Sequence, residues 1–188
     1  GECDFVEDIA APLPMILIAE MLGVRTEDRH RLQRWSDELI SGADGPDNVT
    51  RDVINAHVEF CAYADEVIAD RRVNPEDDLI SILVHAEVEG EGLSHQELIA
   101  EALLLLIGGN ETTRNVISGG MEALARNPAQ RDLLIADPTG IPTAVEECLR
   151  WVSPIINFAR PVAEAVPVAG GVIPKVAPVI LMYASANR

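Results

Sequence analysis

The 188-residue chain is predicted to be mainly α, with a small β region near its C-terminus. Apolar residues recur at helical spacing through most of residues 1–154. A helical pattern over about 94–126 carries the Leu-rich run Leu103 to Ile107 near its middle. After Pro154 the composition changes: Pro161, Pro167, Gly170, Gly171, Pro174 and Pro178 are separated by Val and Ile, the pattern of short strands and tight turns. Aromatic residues are only 4%, so a core must rest on Leu, Ile, Val and Ala. The length suits one domain. The expected organisation is a single partial domain over 1–188, helical over 1–154 and strands and turns over 155–188.

In chain order, Phe5 to Leu22 reads as a turn followed by a helix, with Pro12 and Pro14 at the start. Thr26 and Asp28 open a second helix carrying Leu32, Trp35 and Leu39. Ser41 to Asp47 is a loop. Asn48 to about Arg72 is helical, with Val53, His57, Phe60, Ala64, Val67 and Ile68 on one side. Pro75 to Asp78 opens a short helix through Leu79, Leu83 and Val84. Glu87 to Gly92 lacks the alternating ligands of a calcium loop and reads as a solvated turn. Ser94 and Glu97 form a capping box that starts the central helix, which, unbroken to Arg126, is roughly 50 Å long. Asn127-Pro128 ends it. A short helix to Ala136 and a turn over Asp137 to Gly140 follow. Pro142 sits in the first turn of a helix over about 141–152, which Ser153-Pro154 closes. Val179 to Met182 is a strand.

The chain has 31 Asp and Glu against 14 Lys and Arg, a net charge of −17. That balance excludes the basic footprint of a nucleic-acid binder and disfavours an anionic membrane surface. The apolar run 98–107 is broken by Glu101 and is too short to span a bilayer. Three separated cysteines with no CxxC suit a reducing compartment, so a cytoplasmic location is expected. No signal peptide is visible. The abrupt start at Gly1 and the end just past a strand pattern read as cut rather than finished.

The chemistry concentrates in Leu103-Leu-Leu-Leu-Ile-Gly-Gly-Asn-Glu-Thr-Thr113. Two adjacent glycines cost helix stability unless something approaches the backbone closely. A carboxylate in so apolar an element is costly unless paired or used. Taken alone, Gly108-Gly109-Asn110 is a helix C-terminus, with Glu111 and Thr112 opening the next helix. Alternatively the helix continues, and the Thr112 hydroxyl bonds back to the Gly108 carbonyl. Gly108 and Gly109 then leave a shelf for a flat ligand beside an acid–alcohol pair able to relay protons.

Gly-Gly-Asn-Glu-Thr-Thr in a Leu-rich helix resembles the oxygen-activating motif of the cytochrome P450 family. Two further motifs follow in order: Glu147-Cys-Leu-Arg150 with Trp-Val-Ser-Pro154, and Asn157-Phe-Ala-Arg160 with Gly171-Val-Ile-Pro174. Upstream, Asp8-Ile-Ala-Ala-Pro and Met21-Leu-Gly-Val24 look like a helix of the same family. The resemblance therefore covers nearly the whole chain, and Asn110-Glu-Thr-Thr-Arg-Asn115 with Ser118-Gly-Gly-Met121 is similar to actinobacterial members that oxidise sterols. It implies a partial P450-like helical fold. Glu147 and Arg150 would be the family's structural ion pair, although by spacing alone they are a surface pair worth about 0.2–0.5 kcal/mol. Val145, Cys148, Leu149 and Val152 make the apolar stripe of that helix, and the opposite face, with Trp151, would have nothing to pack against.

Arg160 matches a position that reaches a haem propionate; by itself it is an exposed strand arginine. Ala165 and Val176 depart from the family pattern around it. The haem-ligand cysteine, in a Gly-rich loop, is expected to lie outside this chain. Cys3, Cys61 and Cys148 read as small core or neutral residues. The histidines show no metal spacing, and the i,i+4 pair His57 and Cys61 is too few ligands for a site.

The resemblance implies part of a soluble haem-thiolate monooxygenase that hydroxylates a hydrophobic, sterol- or fatty-acid-like substrate. Haem b would be the cofactor, with NAD(P)H acting indirectly through a ferredoxin and ferredoxin reductase. Glu111 would deliver protons and Thr112 would hydrogen-bond the oxygen under activation. Gly108 and Gly109 would leave room over the haem. Leu104, Ile107, Ile155, Ile156, Asn157 and Phe158 match substrate-facing positions. This fragment alone is expected to be inactive. A non-catalytic helical module that binds a hydrophobic ligand or partner is the alternative, and haem binding separates the two.

Overall fold

The computed structural model describes residues 1–42 and 46–188. Ala43 to Gly45, the middle of the expected loop, lie outside the described residues. Within them the chain is mainly helical with three small two-stranded antiparallel sheets, the fold class expected. They form two compact units, Gly1–Arg114 and Asn115–Arg188. The division falls inside one continuous helix, upstream of the composition change at Pro154.

The first unit opens with a π-helical turn, Val6–Ala10, and α1, Pro12–Met21. Gly23 ends α1 at φ +70°, and a Cβ there would lie 2.1 Å from Asp78 Oδ2, so only glycine fits. A 3-10 turn, Thr26–Asp28, leads into α2, Arg29–Ser41. Thr50 caps α3, Arg51–Val73, accepting the Val53 N–H at 3.3 Å. Asp78 caps α4, Leu79–His85, accepting the Ser81 N–H at 2.7 Å.

The acidic turn is a small hairpin: β1, Glu87–Val88, pairs with β2, Glu91–Gly92. Its two-residue loop has φ of +56° at Glu89 and +85° at Gly90, the twist that suits a tight hairpin. The expected capping box closes both ways: Glu97 Oε2 accepts the Ser94 N–H at 2.7 Å, and Ser94 Oγ accepts the Glu97 N–H at 3.3 Å. It starts α5, which runs unbroken over His95–Arg126.

Helices α1 to α5 surround one apolar core, in which Leu32, Trp35, Ile68, Leu98 and Leu106 are almost wholly buried. Trp35 meets Phe60 edge-on, with ring centroids 6.0 Å apart, and its indole N–H donates to Glu59 at 3.0 Å. The buried stripe of α3 runs through Val53, Ala56, Phe60, Tyr63, Ala64 and Ile68. His57, expected on that side, is exposed and lies 3.6 Å from Cys61 Sγ. The stripe drifts round the helix at 3.6 residues per turn and passes through Ala56 instead.

In the second unit α5 continues to Arg126, and Pro128 opens α6, Pro128–Ala136. A 3-10 turn, Pro138–Gly140, leads to α7, Ile141–Val152. β3, Asn157–Pro161, pairs with β6, Pro178–Met182, placing Arg160 opposite Val179. β4, Val166–Val168, pairs with β5, Gly171–Ile173. A short helix, α8 (Tyr183–Ala186), follows β6; the sequence pattern did not show it. No described helix is long and apolar enough to cross a membrane.

Candidate functional site

Helix α5 carries two faces past the glycine pair. Leu98, Ala102, Leu106 and Asn110 recur every four residues and are buried. Leu104, Gly108 and Thr112 recur in the same way on another face, and Leu104 is 63% exposed. The two glycines do different work. A Cβ on Gly109 would come within 2.9 Å of Ile18 Cδ1, so Gly109 lets α1 pack against the α5 backbone. A Cβ on Gly108 would meet nothing within 4 Å. The shelf expected from both glycines is therefore a bare strip at Gly108 alone.

Helix α5 does not end at Asn110. The Thr112 hydroxyl donates to the Gly108 carbonyl at 2.7 Å, the back-bond that goes with a continuous helix. Glu111 is half-buried, and its Oε1 accepts from Arg114 Nη2 at 3.3 Å. Ile107 is half-buried on the same turn.

Asn110 and Ser36 are both fully buried, and the Asn110 amide donates to Ser36 Oγ at 3.0 Å. Among the described residues Asn110 Oδ1 has no partner, a cost the fold bears at this position. One residue further along α2, Asp37 Oδ1 lies 3.5 Å from Arg114 Nη1. Sequence reasoning passed over Asn110, Ser36, Asp37 and Arg114. The signal was present: Asn110 continues the Leu98, Ala102, Leu106 spacing as a polar residue.

In the second unit Glu147 and Arg150 form a two-pronged ion pair. Arg150 Nε donates to Oε2, and Nη2 to Oε1, each at 2.7 Å. The Arg150 guanidinium holds the Glu147 carboxyl below its ordinary range. The expectation that this face meets nothing is corrected, because Arg150 Nη1 donates to the Asn187 carbonyl. Asn187 Nδ2 in turn donates to Ser153 Oγ at 2.9 Å. Ser153, at φ +47°, ends α7 in the left-handed conformation. Trp151 remains 58% exposed.

Arg160 lies on β3 with its guanidinium carbon 4.8 Å from the Phe158 ring centre, and it donates to the Ala159 carbonyl at 3.0 Å. Phe158 also meets Tyr183 edge-on at 6.3 Å. Ile155, Ile156 and Asn157 are exposed, and the two isoleucines lie just before β3.

Burial, aided by Asp65, pushes the Cys61 thiol up, and burial, aided by Glu147, does the same for Cys148. Burial thus disfavours the thiolate form at both positions. Among the described residues no three His, Cys, Asp or Glu side chains could hold a metal.

The residues present fit a flat, apolar-faced prosthetic group, because the backbone at Gly108 is uncovered between Leu104 and the Thr112 hydroxyl. The model of the cytochrome P450 family matches residues 42–135. This chain belongs to the cytochrome P450 family. It is 47% identical over its whole length to a steroid C26-monooxygenase of Mycobacterium tuberculosis (strain CDC 1551 / Oshkosh), covering 51% of that protein. It is 40% identical to a methyl-branched lipid omega-hydroxylase of Mycobacterium bovis, covering all of this chain and 44% of that one. The ligand-free structure of the P450 TbtJ1 superposes with a TM-score of 0.90 at 41% identity, over 98% of this chain and 49% of the other. The chain thus spans about half the length of the curated P450 relatives it matches.

Proposed function

We propose that this segment is part of a haem-thiolate monooxygenase acting on a hydrophobic substrate of the sterol or branched-lipid kind. The observation that carries the proposal is the Thr112–Gly108 bond in an unbroken α5 beside uncovered backbone. Haem, when bound through a thiolate, supplies the oxidising chemistry that inserts one atom of O2 into a C–H bond.

The chain's own residues handle access and protons. Gly108 keeps the helix backbone open to the ring face, and Gly109 seats α5 on α1. Because the Thr112 hydrogen is committed to the Gly108 carbonyl, the Thr112 oxygen is left to accept a proton-bearing group. Glu111 binds and releases a proton at its carboxylate beside it. Leu104 and Ile107 offer apolar contact to substrate. In the second unit, Ile155, Ile156, Asn157 and Phe158 are proposed to do the same. Arg160 is proposed as the cation for a propionate, and Glu147 with Arg150 as a structural pair. None of the three cysteines is proposed as the thiolate. Electrons are proposed to come from NAD(P)H through a ferredoxin and its reductase, in the cytoplasm. The mycobacterial relatives, named for steroid and branched-lipid oxidation, support that substrate class.

The test is to express the complete reading frame containing these residues, load it with haem and change Thr112 to Ala. The expected result is continued NAD(P)H consumption with a large loss of hydroxylated product. Unchanged product per NAD(P)H rejects the role of Thr112. The 188 residues alone are expected to show no thiolate-type absorption band when reduced under carbon monoxide.

A further inference from the structure

The acid proposed to deliver protons is not held by its own helix alone. Arg114 stands one turn beyond Glu111, and its two terminal nitrogens serve two anions. Nη2 reaches Glu111 Oε1 at 3.3 Å, and Nη1 reaches Asp37 Oδ1 on α2 at 3.5 Å. Both separations exceed the roughly 2.7–2.9 Å of a fully made charge-assisted bond. A guanidinium cannot give up its proton, so neither carboxylate can neutralise it, and each competes for it. The Asn110–Ser36 bond fixes the register of α2 against α5 one residue from Asp37 and one turn from Arg114, which keeps Asp37 opposite Arg114. Asp37 is held from its other side by Gln33, which donates to Oδ2 at 3.5 Å.

We propose that Arg114 is a positioning residue for Glu111, and that Asp37 of α2 sets how tightly Arg114 holds it. The inference rests on Glu111 acting as the proton-delivering acid. While Asp37 draws on Arg114, the Glu111 carboxylate is restrained loosely enough to turn and pass a proton. Without Asp37, Arg114 closes on Glu111 and withholds it. Without Arg114, Glu111 loses its orientation and Asp37 has nothing to act through.

The test uses the complete haem-loaded protein with Asp37→Asn, Arg114→Gln, the double variant, Arg114→Lys and Glu111→Gln. Asp37→Asn is expected to lower kcat several-fold at unchanged KM and to raise the solvent deuterium isotope effect on turnover. The same change in the Arg114→Gln background is expected to do nothing further. Arg114→Lys keeps the charge without the fork and is expected to restore part of the loss. Urea unfolding supplies a readout independent of turnover: Asp37→Asn and Arg114→Gln are expected to be non-additive, by two- to five-fold in the folding constant. An additive cycle, or an isotope effect that Asp37→Asn leaves unchanged, overturns the inference. Glu111→Gln separates the two layers. If it leaves turnover intact, the acid assignment fails and the inference falls with it. If it abolishes turnover while Asp37 and Arg114 act independently, only the inference fails.

Discussion

Gly108 and Gly109 are adjacent and chemically identical, yet their surroundings make opposite demands. Helix propensity favours alanine over glycine by about 1 kcal/mol at each position. At Gly108 nothing opposes that gain, so Gly108→Ala is expected to raise the urea midpoint while weakening haem retention in the complete protein. At Gly109 the new methyl meets the buried Ile18 side chain, and overpacking of about 1–3 kcal/mol outweighs the gain. Gly109→Ala should therefore lower the midpoint, and adding Ile18→Val should recover most of the loss. A second residue-scale case is Asp78. Its carboxylate accepts from Arg71 Nε at 2.6 Å, and both side chains are buried. Burial pushes the Asp78 carboxyl up, but bonds from the Ser81 N–H and the Arg71 guanidinium outweigh it and hold the group below its ordinary range. A depressed carboxyl contributes stability above its unfolded value, near pH 4, and loses that contribution as pH falls through the folded value. Asp78→Asn removes the buried partner of Arg71, which keeps Asp70 and Glu76 on its exposed side, and should cost about 1–3 kcal/mol at pH 7. That difference should shrink as pH is lowered below about 4, read by urea unfolding at a series of pH values.

Most elements were legible because they rest on local signals: the Ser94–Glu97 box, Pro142 in the first turn of α7, and the Gly/Pro change after Pro154. The features missed are those that depend on what comes across from another element. His57 was placed in the core because i+4 spacing from Val53 ignores helical drift. Arg71 and Asp78 gave no sign of burial, because burying either depends on the other and on the glycine turn at Gly23. The second glycine pair, Gly119 and Gly120, carried no visible reason in the sequence. In the structure, α7 lies against α5 there: a Cβ on Gly119 would come within 2.8 Å of Val152, and one on Gly120 within 2.9 Å of Cys148 Sγ. Small residues let two helices approach closely where ordinary side chains hold their axes 8–10 Å apart. Gly120→Ala is accordingly expected to speed hydrogen exchange along α7, and Cys148→Ala in the same chain to slow it again by removing the obstructing sulfur. Unchanged exchange in Gly120→Ala would show that this contact carries no packing load.

Across the whole molecule, the buried core and the net charge both fall in residues 1–114, where they act in opposite senses. Among the described residues every buried apolar side chain lies between Ala10 and Leu106. Residues 115–188 keep Trp151, Ile156 and Ile180 more than half exposed and rest on backbone pairing and the α5–α7 contact. Regions with few buried apolar contacts open at a lower free energy than the global one. Charge follows the opposite logic. Of the 31 acidic residues 25 lie in residues 1–114, with 8 of the 14 basic ones, so the entire net charge of −17 sits on the unit that owns the core. Self-repulsion works against that compact unit, and salt relieves it as the screening length falls from about 30 Å at 0.01 M to about 3 Å at 1 M. Hydrogen exchange on the 188-residue chain at neutral pH should therefore be slowest in α2 and α3 and fastest in β3, β6 and α7. Raising sodium chloride from 0.01 M to 0.5 M should slow exchange in residues 1–114 and leave residues 115–188 nearly unchanged. Equal protection in the two units, or an equal response to salt, would mean that they open together and that the core of the first sets the stability of both.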